Sequence, residues 1–483
     1  MTNREQPGRL ESHTIQPIGA EHRHGTARDL FTVWFGSNIT LLALVTGALA
    51  TTVYGLSFTW AVISILFGNL FGGVFMALHS AQGATLGVPQ MVQTRGQFGS
   101  LGALLVVGLV IVMYVGFFAS NVVLGGQALH LMMPRMTDTS GIFWVGALSL
   151  VAAILGHDLI HAYARVLTYA SGAVLALAFF WIVFIHGLPP DFMSRNSVSV
   201  PGVLSTVSIA ALWQIAYAPY VSDYSRYMPI DTGARTAFWA SYWGCTLGSI
   251  VPMILGAVVG ICAKSGDVIE SLAGLTGSIS SLVLIVFAIG LAAANAMNLY
   301  CCTLSTLTFG QTLVAAWSPK AFTRALVALI LFGLSLILAL LTKGSFLVDY
   351  TDFILLLLYV LVPWTAINLV DYYLIQHGRY DVQSFMSPNG GIYGRVNVAA
   401  VACYVIGIAV QLPFMSTTLY TGFVAAALKG SDLSWIVGLA ITAPIYYLWA
   451  RRKVVRMQGY RDEQHGNTGA PGRISNGEPR LKS

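Results

Sequence analysis

Four side-chain amides, Asn121, Gln214, Asn295 and Asn298, stand in stretches that are otherwise apolar or aromatic. An amide offers a carbonyl acceptor and an NH₂ donor together, so where water is scarce it must pair with another helix or read the edge of a ligand. Asn121 follows Phe117 by four residues, which places ring and amide on one helical face. The pair suits a flat ring with a hydrogen-bonding edge, because stacking such a ring on an aromatic side chain contributes about 1–3 kcal/mol. Asn295 and Asn298, three residues apart, also share a face, and Trp213, Gln214 and Tyr217 cluster just ahead of Pro219. The competing use of these residues is structural. Aromatics make up 12% of the chain and can serve as plain packing, and an interhelical amide clamp contributes about 0.6 kcal/mol.

Covalent and metal chemistry find less footing. The five cysteines, Cys245, Cys262, Cys301, Cys302 and Cys403, fall in apolar runs without metal or redox spacing and read as small apolar fillers. His157, Asp158 and His161 imitate a ligand spacing, but in a short loop between apolar runs. No metal and no cofactor is expected. Asn38-Ile39-Thr40 is formally a glycosylation sequon, yet it is buried in an apolar helix, and Gly68 and Gly72 form a GxxxG suited to close helix packing.

The elements that must carry these residues are membrane helices. The chain is 56% hydrophobic and only 9% charged, against about 25% charged in soluble domains. Runs of roughly 20 apolar residues, enough to cross about 30 Å of hydrocarbon, recur twelve times. They lie near 28–55, 58–79, 99–129, 142–156, 160–186, 202–222, 234–263, 277–303, 322–342, 347–376, 396–415 and 432–450. This is an all-α integral membrane protein in which 28–450 form the membrane domain. Residues 1–27 and 451–483 read as polar cytoplasmic tails, the second disordered. The first tail holds no apolar secretory signal, so the first span must carry targeting. With the N-terminus inside, twenty of the 25 lysines and arginines fall on the inner side. That bias predicts an even number of spans, both termini cytoplasmic and, for a bacterial chain, the inner membrane. The net charge of +6 is thereby spent on orientation rather than on a nucleic-acid partner.

Two spans are interrupted. The first carries Phe35-Gly36-Ser37-Asn38 in mid-helix, and the sixth carries Ala216-Tyr217-Ala218-Pro219. Pro219 removes a helical hydrogen bond and Gly36 weakens its helix, so freed carbonyls must meet an ion, a ligand or a neighbour. Spans one and six correspond if the chain is two five-helix repeats plus two helices, an arrangement that points to a site at the midplane.

Five segments, GTARDLFTVWFGSNIT at 25–40, GNLFGGVFMALHSAQGATLGVPQMVQTRGQFG at 68–99, YVSDYSRYMP at 220–229, LAAANAMNLY at 291–300 and LVPWTAINLVDYYL at 361–374, resemble the nucleobase:cation symporter family. That family includes cytosine, purine, hydantoin and allantoin permeases. The resemblance implies a leucine-transporter-like fold, a 5+5 inverted repeat plus two helices, with a site enclosed by spans one, three, six, eight and ten. It puts Phe117 where a tryptophan commonly stacks the substrate, Asn121 at the amide that follows, and Tyr114 where some cytosine permeases place a substrate-contacting glutamine. Gln214 falls at the aromatic that covers the ligand's other face, so Trp213 or Tyr217 would supply that ring. Asn295 falls at an asparagine beside the substrate that links it to the ion site, with Asn298 as a second amide.

Sodium-coupled members place two hydroxyl side chains immediately before that asparagine, where this chain has Ala293 and Ala294. Methyl groups coordinate nothing, and the carbonyls near Phe35, Gly36 and Asn38 alone would leave a hard cation short of ligands. Proton coupling is therefore expected ahead of sodium. Asp223, Asp349, Asp352, Asp371, His79 and His130 are the titratable candidates, and none is singled out. The expected activity is alternating-access symport of cytosine or a purine by a monomer, with hydantoin, allantoin or uracil next. A membrane-embedded enzyme would need clustered acidic, histidine or metal motifs at a membrane face. A passive channel would need polar rings along a pore. The spans show neither pattern.

Overall fold

The computed structural model describes residues 15–155, 157–263, 267–314, 317, 319–387 and 389–466. The side chains of residues 155–165, 232 and 452–466 lie outside the described set, and with them the His157, Asp158 and His161 pattern. Each of the twelve expected spans falls on a helix. The first is a bent pair, Ala27–Asn38 and Leu41–Thr52, meeting at 57°. Phe58–Leu86, Ala103–Met132, Asp138–Leu155 and His157–Phe180 are the second to fifth. The sixth is split into Val200–Ile215 and Ala218–Ser225. Gly233–Cys262, Ser280–Leu313, Ala321–Thr342, Phe346–Leu369, Val398–Ala409 and Ser434–Gly466 complete the set.

Large apolar side chains stay exposed on the outer faces of these helices, among them Phe67, Val112, Trp144, Phe322 and Leu341. A belt of this kind is stable only against hydrocarbon. Inside, spans one, two, six and seven pack as one bundle, while three, four, eight and nine pack around one another beside it. Glycine makes the first bundle possible. A Cβ on Gly256 would stand 1.8 Å from the Leu44 carbonyl, and one on Gly72 would stand 2.4 Å from that of Ala211. The GxxxG at Gly68 and Gly72 thus seats span two on span six.

Both helix breaks differ in detail from the sequence reading. The first helix runs regularly through Phe35, Gly36 and Asn38 and stops one residue later, where the Ile39 N–H turns back to the Gly36 carbonyl at 3.3 Å. Thr40 then caps the second half, its hydroxyl accepting from the Ala43 N–H at 3.3 Å. The sequon was read only as a failed glycan site, although its threonine is the restart signal for a helix. In the sixth span the break is Ala216–Tyr217, and Pro219 lies in the first turn of the next half, where a missing N–H costs nothing. The twelfth helix continues to Gly466, beyond the expected tail boundary at 451. Its sequence there, RRKVVRMQGYRDEQ, is rich in good helix formers.

Two shorter helices were not foreseen. Gln90–Phe98 is wholly buried beneath the bundle, and Val268–Thr276 lies at the opposite end. The first falls between the expected second and third spans, and its sequence QMVQTRGQF is too polar to register as a membrane helix. Most of its polar groups are paired inside the protein, with Arg95 donating to the carbonyls of Phe385 and Thr308, both at 2.8 Å.

Candidate functional site

Both broken spans leave their ends at one cavity of about 460 Å³. Ser37, Thr40 and Leu42 come from the first break, and Trp213, Ala216, Tyr217 and Tyr220 from the second. Phe117 and Asn121 close it from span three, and Ala294, Met297 and Asn298 from span eight. Its walls are apolar with a few polar groups, the make-up of a small-molecule site.

The rings are held edge to face. Phe117 meets Trp213 at 6.4 Å and Phe353 of span ten at 5.3 Å, with interplanar angles of 80° and 78°. Tyr217 meets Trp213 at 6.1 Å and Trp34 at 5.5 Å. Both candidates for the covering ring therefore line the cavity. The Trp213 indole is pinned by a 2.8 Å bond from its Nε1 to Asn38 Oδ1, which also accepts from the Ser249 hydroxyl at 2.8 Å. Asn38 accordingly supports the aromatic wall, and its side chain has no group left for an ion.

Span eight supplies an amide relay. Asn295 Nδ2 donates to the Phe118 carbonyl at 3.1 Å, and its Oδ1 accepts from Asn121 Nδ2 at 2.8 Å and Asn298 Nδ2 at 3.2 Å. Asn298 Oδ1 accepts from the Tyr220 hydroxyl. Asn121 Oδ1 is buried with no partner, the kind of group that a native structure leaves for a ligand.

Several expected contacts lie elsewhere. Gln214 points away from the cavity, with Nε2 donating to Asn69 Oδ1 at 2.8 Å and the Ser249 hydroxyl at 3.1 Å, so it ties spans two, six and seven together. Tyr114 stands one layer back, its phenol spent on the Pro219 carbonyl at 3.0 Å and its ring against Tyr220. Asn295 is likewise behind the wall. Phe35 stacks on Phe31 outside the cavity, and Gly36 is buried in its helix. Ala293 and Ala294 are both partly exposed, but only Ala294 lines the space.

Tyr220 was missed as a site residue, although it follows Tyr217 by three and so shares its face. Ser37 and Thr40 carried no signal beyond their nearness to the first break, and Met297 none beyond its place between Asn295 and Asn298. Among the described residues no cluster of histidine, cysteine or acidic groups could hold a metal. The cysteines are free and buried.

The family described as "Permease for cytosine/purines, uracil, thiamine, allantoin" matches residues 17–438. The Bacillus subtilis protein YxlA, provisionally named a purine-cytosine permease, is 39% identical over 94% of this chain and 99% of its own. The purine-cytosine permease fcyB of Emericella nidulans is 23% identical over 90% of this chain and 87% of its own. Among solved structures, Mhp1, a nucleobase-cation-symport-1 family transporter in a closed conformation with bromovinylhydantoin bound, aligns with a TM-score of 0.76. It shares 18% identity and covers 93% of this chain and 97% of Mhp1. The shared fold is the leucine-transporter-like one.

Proposed function

The chain belongs to the permease family for cytosine/purines, uracil, thiamine and allantoin, and on that footing we propose that it imports cytosine or a purine by alternating access, coupled to protons. It is a multi-pass membrane transporter, not an enzyme. The observation that carries the substrate is the cavity lined by Phe117, Trp213 and Tyr217, together with the unpaired Asn121 Oδ1. Stacking and one oriented amide are the two handles that a neutral nucleobase requires. Hydantoin, allantoin and uracil are the next candidates.

Proton coupling rests on Ala293 and Ala294, which bring no oxygen to the region beside the first break. One observation favours sodium instead. The Ser171 hydroxyl of span five is buried without a partner, 3.9 Å from where a Cβ on Gly290 would stand, and the Ile39 carbonyl lies 3.2 Å from the same point. The charge distribution supports both termini in the cytoplasm and a bacterial inner membrane, and the self-contained cavity supports a functional monomer.

Uptake of radiolabelled cytosine, adenine, hypoxanthine, uracil and allantoin into transporter-less cells tests this reading, with and without a protonophore and with sodium present or replaced by choline. Proton coupling predicts uptake that collapses with the protonophore, even with sodium clamped, and ignores choline. Strict sodium dependence would reverse the ion assignment and point to Ser171. No uptake of any compound would overturn the substrate class.

A further inference from the structure

The orientation of the amide relay is dictated by one backbone carbonyl. Phe118 O only accepts, so the Asn295 atom 3.1 Å from it must be the NH₂. The Asn295 oxygen then faces the other way and takes both Asn121 Nδ2 and Asn298 Nδ2. Asn121, which lines the cavity, is thereby held with its oxygen turned away from Asn295 and unpaired. Asn298 is fixed in the same sense, and its oxygen takes the Tyr220 proton. A lone asparagine could rotate its amide by half a turn and present either group. Asn121 cannot do so without setting its oxygen against that of Asn295.

We propose that Asn295 is a positioning residue that locks Asn121 as a hydrogen-bond acceptor, so that the site selects a base carrying an exocyclic amino group over its oxo counterpart. The proposal rests on the nucleobase reading above. An amino group opposite Asn121 Oδ1 satisfies it, whereas a carbonyl in the same place sets two acceptors together and leaves both unpaired in a mostly apolar cavity. A mismatch of this kind costs about tenfold or more in affinity. The hydroxyls of Thr40 and Tyr217 do not blunt the choice, because a rotating hydroxyl serves donors and acceptors alike.

The test measures half-inhibition of labelled-substrate uptake by two matched pairs, cytosine against uracil and adenine against hypoxanthine. The wild type is expected to favour the amino member of each pair at least about tenfold. Asn295→Ala frees the Asn121 amide to turn, and the ratio should fall towards one. Asn295→Asp, as the neutral acid, can still donate to Phe118 O and accept from Asn121, and should keep the preference. A merely structural role would weaken every ligand by the same factor and leave the ratio unchanged, which would overturn the proposal. Should Asn295→Ala fail to accumulate, Asn121→Ala must erase the ratio directly; its persistence there would also overturn the proposal. Equal inhibition by amino and oxo bases in the wild type would refute the acceptor lock while sparing nucleobase transport. Inhibition by neither kind would sink both.

Discussion

Replacing Phe117 by alanine isolates the stacking contribution. The ring lines the cavity and meets Trp213 and Phe353 at near-perpendicular angles. Stacking of about 1–3 kcal/mol corresponds to a rise in half-saturation of about 5- to 150-fold. The edge contacts, about 0.5–1.5 kcal/mol each, belong to both free and loaded states, so their loss falls on stability rather than on affinity. The assay is therefore concentration-dependent uptake of labelled cytosine and adenine, normalised to transporter in the membrane by immunoblot. Phe117→Trp keeps a platform and should stay close to wild type. A wild-type half-saturation for Phe117→Ala, at a normal amount of inserted protein, would refute the assignment of this ring to the ligand.

Helix packing and closure give further expectations. Gly256→Ala puts a methyl 1.8 Å from the Leu44 carbonyl, so spans one and seven must part; the inserted amount should fall sharply, and a normal yield would contradict the close packing. Gln82→Ala removes the group that donates to Asn368 Oδ1 at 2.7 Å and accepts from Gln90. Losing one or two such bonds, at about 0.5–1.5 kcal/mol each, should speed amide hydrogen exchange across residues 90–98 at least about twofold; unchanged exchange would mean that the network does not hold this end shut.

The membrane helices were legible because lipid imposes a strict rule: roughly 20 apolar residues, bounded by charge. The buried helix at 90–98 was not, since polar residues satisfied by the protein look like a loop until their partners are known. The site followed the same division. Phe117 and Asn121 announced themselves by helical spacing, but spacing alone could not say which face of the sixth span meets the cavity, so Trp213 and Gln214, adjacent in sequence, went to opposite duties. Asn295 and Asn121 both read as ligand contacts, and only three-dimensional placement separates the residue that would touch from the one that aims it.

The two ends of the transporter are closed unequally. At the end of the buried helix, Ser222, Gln90, Gln82, Asn368, Gln97, Tyr380 and Asp371 form a continuous chain of hydrogen bonds joining spans six, two and ten. At the other end lies a second, more open cavity lined by Val45, Gln127 and Phe346. Beside it, Tyr350 of span ten stacks on Phe346 and meets Thr46 of span one at 2.8 Å, and Phe353 of the same span packs on Phe117. The Thr46 proton is directed to the Leu42 carbonyl at 2.7 Å, so Tyr350 must be the donor. Tyr350→Phe removes that donor and nothing else, shifting the closed state by about 0.5–1.5 kcal/mol, or about two- to twelvefold in population. A cysteine placed at Leu42, which lines the inner cavity, should then react correspondingly faster with a membrane-impermeant thiol reagent added on the side of the second cavity. Equal labelling rates with and without the Tyr350 hydroxyl would show that this end is held by packing, and that the single hydrogen bond is not its latch.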